Sequence, residues 1–312
     1  MDRLSLGRSS LAIGVFDGVH RGHQEVLRAA RETARTIGAV PAALTFDRHP
    51  ADLLAPQKAP AYLTSLGQKI EYIEATAGID DLLVVNFDLS FANMSPTEFV
   101  ERVLVSRLGA AHVRVGADFR FGRDRSGSVM DLEAAGETHG FGVTIVHPIT
   151  QGGERVSSTN IRSLVSAGRC EQAAALLGRP YTLRGIVGHG KKLGRTIGFP
   201  TANLILDEPR CALPVFGVYA GRGVLDAPGG ERRRIPAAVS VGTNPTTDGE
   251  NQIVKIEAFL LDGFDEEIYD EPMDIEFVTA IRPELRFDSV AALVERMHDD
   301  VARVKQVLAR EG

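Results

Sequence analysis

Residues 11–23 read LAIGVFDGVHRGH, in which an apolar segment passes through a glycine-punctuated turn into a helical pattern over Gln24–Ile37. The apolar segment, Leu11–Val15, is the first of several that alternate with helical spacing along the first half of the chain. The other candidate strands are Val40–Phe46, Leu82–Phe87, Val113–Val115 and Val143–Val146, and a second candidate helix is Pro96–Leu108. Alternating strands and helices are typical of a parallel sheet covered on both faces, so we predict a parallel α/β domain.

The second half of the chain has a different composition, beginning near Tyr181. Glycine and proline become frequent and the apolar segments shorten, while Val254–Leu260 alternates apolar and polar residues as a half-buried strand does. Short strands separated by turn residues predict a small antiparallel β-barrel. Apolar residues at three- and four-residue steps near the end of the chain predict a C-terminal helix, with Asp288 or Ser289 as its N-cap.

The boundary between these two parts is marked by a helix stop signal. We predict the last helix of the first domain over Asn160–Leu177, followed by glycine, arginine and proline at 178–180. The predicted domains are therefore residues 1–178 and 179–312.

Composition excludes several classes of protein. The 312 residues carry a formal net charge of −6 and are 44% hydrophobic and 24% charged, which is typical of a folded chain of about two domains and not of a general nucleic-acid binder. No apolar run approaches the ~20 residues of a membrane span, and no signal-type apolar core precedes Asp17. Cys170 and Cys211 form no metal or disulfide pattern and are expected to be buried. We expect a cytoplasmic protein with small-molecule substrates, no nucleic-acid or membrane partner, and a monomeric or weakly homo-oligomeric state.

The turn at 14–23 has the residues of a phosphate site. Glycines at 14, 18 and 22 permit a close approach of the backbone, and a helix N-terminus beyond a strand end attracts phosphate. His20 and His23 lie three residues apart, so both imidazoles can face one phosphate. The lysine and hydroxyl residue of a Walker loop are lacking, which favours nucleotidyl transfer in which the substrate's own phosphate attacks. The alternative is that the two histidines only cap a helix.

A second candidate site lies in the segment 188–204, GHGKKLGRTIGFPTANL. It nearly fits two phosphate-loop patterns and satisfies neither, yet its glycines and basic residues suit a polyphosphate. Thr201 and Asn203 are two residues apart on a predicted strand, so their oxygens share one side and suit Mg²⁺. Glu257 lies on the face of its strand opposite Val254 and Ile256, where it can face a cavity and accept a proton. A solvent-facing glutamate is the alternative.

The motif GVFDGVHRGH resembles the signature of the HxGH nucleotidyltransferase superfamily, in the form found in bacterial FAD synthetases, and implies a Rossmann-like domain. The segments 44–50, LTFDRHP, 115–122, VGADFRFG, and 157–162, SSTNIR, resemble further motifs of that family. The resemblance implies that ATP is bound by Gly14, Phe16, Asp17, Gly18, His20, Gly22, His23, Ser157, Ser158, Thr159 and Arg162. It implies that the flavin is bound by Asp47, His49, Pro50, Asp118, Phe119 and Phe121.

These residues also have ordinary structural interpretations. The hydroxyls of 157–159 can cap a helix, Phe119 and Phe121 can belong to the core, and Asp118 can be a turn residue. Arg48 departs from the family, which usually has proline at this position.

The second half resembles the riboflavin kinase domain through PTAN at 200–203, through 216–219, 240–246 and 256–262, and through the late segment IRPELRF. The resemblance implies that Glu257 is the catalytic base and that Thr201 and Asn203 bind Mg²⁺. It implies that ATP is bound by Gly188, Gly190, Lys191, Lys192, Gly194, Arg195, Gly198, Pro200, Thr201 and Asn203. The flavin-side residues are Arg282, Glu284 and Phe287, with Arg282 near the product phosphate.

Two residues of this half depart from the family. Thr247 stands where an aromatic residue is usual, and Asp270 stands where glycine commonly follows the tyrosine. Three successive arginines at 232–234 are expected to be a solvated hairpin tip.

Taken together, the resemblance covers about residues 11–310 and implies a bifunctional riboflavin kinase/FAD synthetase. Such an enzyme phosphorylates riboflavin to FMN and then adenylylates FMN to FAD, using ATP and Mg²⁺ in both steps. One alternative is a single-activity nucleotidyltransferase for another phosphate-bearing molecule, with a regulatory flavin-binding barrel. Another is a non-catalytic flavin carrier. The chain begins about ten residues before its first strand, so we expect an edge element common in relatives to be absent.

Overall fold

The computed structural model describes residues 6–79, 81–189, 197–227, 230–243 and 254–311. The chain divides into two compact units. The first contains the chain up to Pro60 together with Leu66–Ser158, and the second contains Ala61–Ser65 together with the chain from Thr159 onward. The predicted boundary after residue 178 lies 20 residues beyond Ser158, where the first unit ends. That residue 178 separates the two functions stays a prediction.

The first unit contains a five-stranded parallel sheet with the strand order β3-β2-β1-β4-β5, which confirms the predicted parallel α/β class. Its strands are β1 (Ser9–Ile13), β2 (Val40–Phe46), β3 (Asp81–Val85), β4 (Ala110–Gly116) and β5 (Gly142–Val146). The helices are α1 (Arg21–Ile37), α2 (Pro50–Leu54), α3 (Leu66–Ala77), α4 (Leu89–Ala92), α5 (Pro96–Glu98) and α6 (Val129–His139). Two 3₁₀ turns (Pro56–Lys58 and Arg123–Arg125), a π-helical segment (Phe99–Val105) and the small hairpin β6 (Thr150–Gln151) and β7 (Glu154–Arg155) complete it.

The sheet separates two apolar cores. On β1, Leu11 and Ile13 point to one core, whereas Ala12 points to the core that also contains Val26 and Leu27 of α1. Because both faces are covered, every residue of β1 is buried. The strand begins two residues before its predicted start, and the polar Ser10 is accommodated because its hydroxyl donates to the Ala30 carbonyl at 2.8 Å.

The second unit is a closed antiparallel barrel with the strand order β10-β11-β12-β9-β8-β13, which confirms the second predicted class. Its strands are β8 (Tyr181–Gly188), β9 (Ala202–Leu206), β10 (Gly217–Asp226), β11 (Arg232–Thr243), β12 (Val254–Leu260) and β13 (Pro272–Pro283). The C-terminal helix, Val290–Leu308, begins at the N-cap Ser289, whose hydroxyl accepts from the Ala292 N–H at 3.2 Å. Val304 and Leu308 pack this helix against the barrel.

The prediction of one helix over Asn160–Leu177 is wrong. The segment forms α7 (Ser158–Ser166) and α8 (Cys170–Leu177), because Gly168 between them has a φ of +72°, in the left-handed region that ends a helix. Gly178 caps α8, as the stop signal predicted.

Other predictions about this unit have mixed outcomes. Cys170 and Cys211 are buried and are not joined in a disulfide, as expected. Arg232–Arg234 are exposed, but they lie in β11 rather than at a tip, and each pairs with a carboxylate. None of the helices that the structure describes has the length and apolar character needed to cross a bilayer.

Candidate active sites

The turn between β1 and α1 carries the first candidate site, and strained backbone shapes it. Phe16 and Val19 have positive φ angles of 51° and 39°, and both side chains are buried, which offsets the strain. Gly14 is required for packing, because a Cβ there would lie 2.8 Å from the Phe16 ring. Since the ring of Phe16 belongs to the core, only its backbone remains for the predicted contact with ATP.

The two histidines of this turn lie together. Their rings stack with centroids 3.6 Å apart and an interplanar angle of 14°. His20 is buried and caps α1, because its Nδ1 accepts from the His23 N–H at 3.3 Å. A neutral imidazole that accepts at Nδ1 carries its proton on Nε2, and an Nε2–H group can donate to a phosphate oxygen. His20 is therefore a helix cap and also part of a histidine pair.

The serine motif begins at the same turn. The Ser158 hydroxyl donates to the Asp17 carbonyl at 3.0 Å, which joins the start of α7 to the histidine turn. Asp17 itself is buried. Thr159 and Arg162 belong to the second unit, where the Arg162 guanidinium donates to the Ala61 carbonyl at 2.5 Å. Their contacts with ATP stay predictions.

The segment after β2 carries the first group of predicted flavin residues. The carboxylate of Asp47 accepts from the Phe87 N–H at 2.8 Å and from the Arg48 guanidinium at 3.0 Å. Burial acts to raise the pKa of Asp47, but these two donors hold it below its ordinary value. Arg48, where the resembled family has proline, therefore forms an ion pair with Asp47. His49 caps α2 through its Nδ1, and Pro50 is the first residue of that helix.

The second group of predicted flavin residues, after β4, is divided. Phe121 is only 7% exposed and stacks on Phe119, with ring centroids 5.6 Å apart. Its ring thus packs in the core, as the structural alternative held, and its contact with flavin stays a prediction. Phe119 is half-buried and Asp118 is exposed, so both stay candidates.

The barrel contains the second candidate site, a cavity of about 1190 Å³. Thr201 and Asn203 line it beside Glu257, and Asn203 is the register partner of Glu257 in the β9–β12 pair. The cavity is larger than the ~300–1,000 Å³ of most small-molecule pockets, so it has room for two substrates. Arg282 of β13 and residues of the C-terminal helix line the same cavity.

Glu257 faces this cavity as predicted. Ile256 and Ala258 on the opposite face of β12 are buried in the barrel core. Burial raises the pKa of Glu257 above its ordinary value, and the charge of Lys255 opposes the rise. This burial disfavours the alternative of a solvent-facing strand residue, and a carboxylate with a raised pKa suits a general base.

The donor set beside Glu257 suits magnesium. Thr201 and Asn203 supply a hydroxyl and an amide oxygen, and the described part of the chain has no group of three or more histidine, cysteine or acidic residues that could hold a metal. Mg²⁺ prefers oxygen ligands and completes its shell with water and substrate phosphates. The residues fit an ion that arrives with ATP.

The late motif contributes the cation of a buried ion pair. The Arg282 guanidinium contacts both carboxylate oxygens of Asp300, with nitrogen–oxygen distances of 2.8–3.0 Å. Arg282 also lies 5.7 Å from the centre of the Phe287 ring. Glu284 packs over Gly242, where a Cβ would lie 2.5 Å from its carboxylate oxygen.

The glycine-rich loop is described only at its ends. Gly188 ends β8, and a Cβ there would lie 2.5 Å from Ile205. Gly198 has a φ of +85°, and Pro200 lines the cavity. Five predicted ATP residues lie outside the described residues: Gly190, Lys191, Lys192, Gly194 and Arg195. Thr247 also lies outside them.

Asp270 shows why the resembled family prefers glycine at this position. Its φ is 62°, in the left-handed region, which glycine adopts without strain. Its carboxylate lies 3.5 Å from Nε2 of His189, and the His189 ring stacks on Tyr269.

Comparisons with known proteins agree with this division of sites. The family described as FAD synthetase matches residues 3–160, and the family described as riboflavin kinase matches residues 177–308. A bifunctional riboflavin kinase/FMN adenylyltransferase from Listeria monocytogenes is 40% identical over 301 residues, which are 96% of this chain and 92% of the relative. The chain belongs to this family.

Two further matches extend the comparison. The bifunctional riboflavin kinase/FMN adenylyltransferase of Escherichia coli strain K12 is 38% identical over 290 residues, which are 93% of this chain and 90% of the relative. The crystal structure of a macrolide-efflux protein from Streptococcus pneumoniae has a TM-score of 0.82 and 31% identity, and covers 96% of this chain and 94% of its own. The histidine turn lies within the first family match, and the Glu257 cavity lies within the second.

Two charged residues near these sites were missed by the sequence analysis. Lys69 on α3 is 4% exposed, and its Nζ donates to the Phe46 carbonyl at 2.6 Å. Asp300 of the C-terminal helix is 3% exposed and holds Arg282. The available signal was spacing, since each lies four residues before an apolar core residue, Ile73 or Val304.

Proposed function

We propose that the chain converts riboflavin into FAD in two ATP-dependent transfers, one in each compact unit. As a member of its family it is a bifunctional transferase of FAD biosynthesis, with riboflavin kinase and FMN adenylyltransferase activities. The observation that carries the assignment of sites is the pairing of Glu257 with Asn203 in one cavity, within the segment matched by the kinase family.

In the kinase reaction, the 5′-hydroxyl of riboflavin attacks the γ-phosphorus of ATP and ADP leaves. Glu257 accepts the hydroxyl proton, and its raised pKa supports that role. Arg282, held by Asp300, supports the binding of the phosphate of FMN. Mg²⁺, which Thr201 and Asn203 would hold, neutralises charge on the phosphate oxygens when it is bound.

In the adenylyl transfer, a phosphate oxygen of FMN attacks the α-phosphorus of ATP and pyrophosphate leaves. His20 and His23 donate to phosphate oxygens and stabilise the charge that develops in the transition state. The stacked rings and the Nε2 proton of His20 support this role. The phosphate of FMN is itself the nucleophile, so the enzyme forms no covalent intermediate.

The wider biology follows from these reactions. We propose that riboflavin, FMN and ATP are the partners of the chain and that nucleic acid is not. An enzyme that consumes ATP in both steps is expected in the cytoplasm, and we propose a monomer or a weak homo-oligomer.

Chromatography of the products made from riboflavin and Mg-ATP tests the proposal. FMN followed by FAD is the expected result. Absence of FMN, with adenylyl transfer to another phosphate-bearing compound, would favour a single-activity nucleotidyltransferase. Riboflavin that binds without ATP consumption would indicate a flavin carrier.

A further inference from the structure

Lys69 carries a buried cation that neither proposed reaction uses. Its Nζ lies 2.6 Å from the Phe46 carbonyl and 3.4 Å from the Val15 carbonyl. Phe46 ends β2, and Val15 lies two residues beyond the end of β1. One ammonium group on α3 therefore bridges the carboxyl ends of two adjacent parallel strands.

If only folding stability is considered, an ammonium group at this place is unfavourable. Lysine is almost never fully buried unless it is paired, because removing the charge from water is costly. Burial lowers the pKa of Lys69 to about 8, although the negative charges of Asp17 and Asp47 act to raise it. Lys69 lies on the same face of α3 as Ile73, which packs in an apolar core. An apolar side chain would suit such a position at a lower cost.

The two bridged carbonyls lead directly into the two candidate binding segments. The chain continues from Val15 through Asp17 to His20, and from Phe46 to Asp47 and His49. Each segment is fixed at its other side: the Asp17 carbonyl accepts from Ser158, and the Asp47 carboxylate accepts from the Phe87 N–H.

A second bond shows that the spacing of these strand ends is constrained. The Thr45 hydroxyl donates to the Val15 carbonyl at 3.0 Å, so this carbonyl has one contact from β2 and another from α3. Backbone at the ends of parallel strands otherwise diverges into loops, where ligands bind. Lys69 and Thr45 thus hold the two segments at a defined separation.

We propose that Lys69 is a positioning residue for adenylyl transfer, which holds the histidine turn and the Asp47 segment at the separation that in-line attack requires. The inference rests on the proposed function of this unit. ATP at the turn and FMN at the Asp47 segment must align their reacting atoms, and a misplacement of about 1 Å costs on the order of 100-fold in rate.

The test uses the full chain and the variant Lys69→Met, with FAD formation from supplied FMN as the assay. We expect kcat to fall on the order of 10- to 100-fold. KM for ATP should change much less, because His20 keeps its own bond to His23. FMN formation from riboflavin should be unchanged. Should Lys69→Met fail to fold, Lys69→Gln places a polar but uncharged side chain there, too short to reach both carbonyls, and the same split is expected.

Ile73→Val is the matched control, since it weakens the packing of the same helix one turn later and removes neither hydrogen bond of Lys69. A kcat for the lysine variant within about twofold of wild type would overturn the proposal. An equal fall in kcat for Ile73→Val would also overturn it, because the effect would then follow from general loosening of α3. Failure of the wild-type chain to adenylylate FMN would instead refute the proposed function.

Discussion

The two candidate sites are built in different ways. The histidine turn is local: its two imidazoles come from one helical turn, and the residues beside them also cap helices and fill the core. The barrel cavity is assembled from distant segments, with Asn203 and Glu257 paired across two strands and Arg282 held by the C-terminal helix. The first site can therefore be recognised from a short sequence motif, whereas the residues of the second are brought together only by the strand topology of the barrel.

Glu257→Gln is expected to have the largest effect, because it removes the proposed base of the assembled site. FMN formation should fall by on the order of 10²- to 10⁴-fold, while FAD formation from supplied FMN persists. Glu266→Gln, which changes an exposed glutamate paired with Arg233, is the control. Loss of both activities in Glu257→Gln would contradict two separate sites.

His23→Ala should have the next largest effect, and it should impair FAD formation while FMN formation persists. Loss of one donor to the developing charge lowers adenylyl transfer by on the order of 10²- to 10³-fold, and riboflavin is still converted to FMN. His20→Ala also removes a helix cap worth ~1 kcal/mol, so Ser128→Ala, which removes the cap of α6, controls for stability. Wild-type FAD formation in His23→Ala would show that the histidine assignment is wrong.

Asp300→Asn tests whether the assembled site depends on its buried ion pair. Leaving Arg282 without its charged partner should lower the free energy of unfolding by about 3 kcal/mol, which denaturant titration measures. The exposed neighbour Asp299, whose carboxylate lies 3.9 Å from Arg296, provides the control Asp299→Asn, expected to cost less than ~1 kcal/mol. Equal effects of the two changes would remove the role assigned to Asp300.

The pH dependence of stability gives the smallest expected effect and concerns the first unit. The pKa of Lys69 is about 8 in the folded chain, against an ordinary value of 10.5, so the unfolded state binds more protons between these values. The contribution of Lys69 therefore becomes more favourable as pH rises from 8. Relative to Lys69→Met, the wild-type chain should gain about 2 kcal/mol in unfolding free energy between pH 7 and pH 9.5. A difference that does not change with pH would contradict this.

Much of the fold followed from local patterns, and so did the residues of the local site. The alternation of apolar segments such as Leu11–Val15 with helical patterns, and the period-two pattern in Val254–Leu260, were sufficient for the two fold classes. The helical spacing of apolar residues gave a wrong prediction where a single backbone angle ends a helix. Gly168, with its positive φ, divides the helix predicted over Asn160–Leu177 in two. The sequence also could not place the ring of Phe121, because an aromatic residue after a strand end gives the same pattern whether its ring contacts a ligand or the core.

Charged residues in long-range contacts were beyond the sequence. Lys69 reaches carbonyls 23 and 54 positions away, and Asp300 reaches Arg282, 18 positions away. Each lies within an amphipathic helix, where a charged residue ordinarily faces water. Spacing places both on the apolar face of their helix, but only the packing shows which groups they contact.

Complementation between two variants tests the central claim of separate sites most directly. Glu257→Gln keeps the adenylyltransferase and His23→Ala keeps the kinase, and neither alone should convert riboflavin into FAD. When the two variants are mixed with riboflavin and Mg-ATP, FMN released by the second should be adenylylated by the first, and chromatography should detect FAD. A mixture that accumulates FMN without FAD, or that makes neither, would contradict the account.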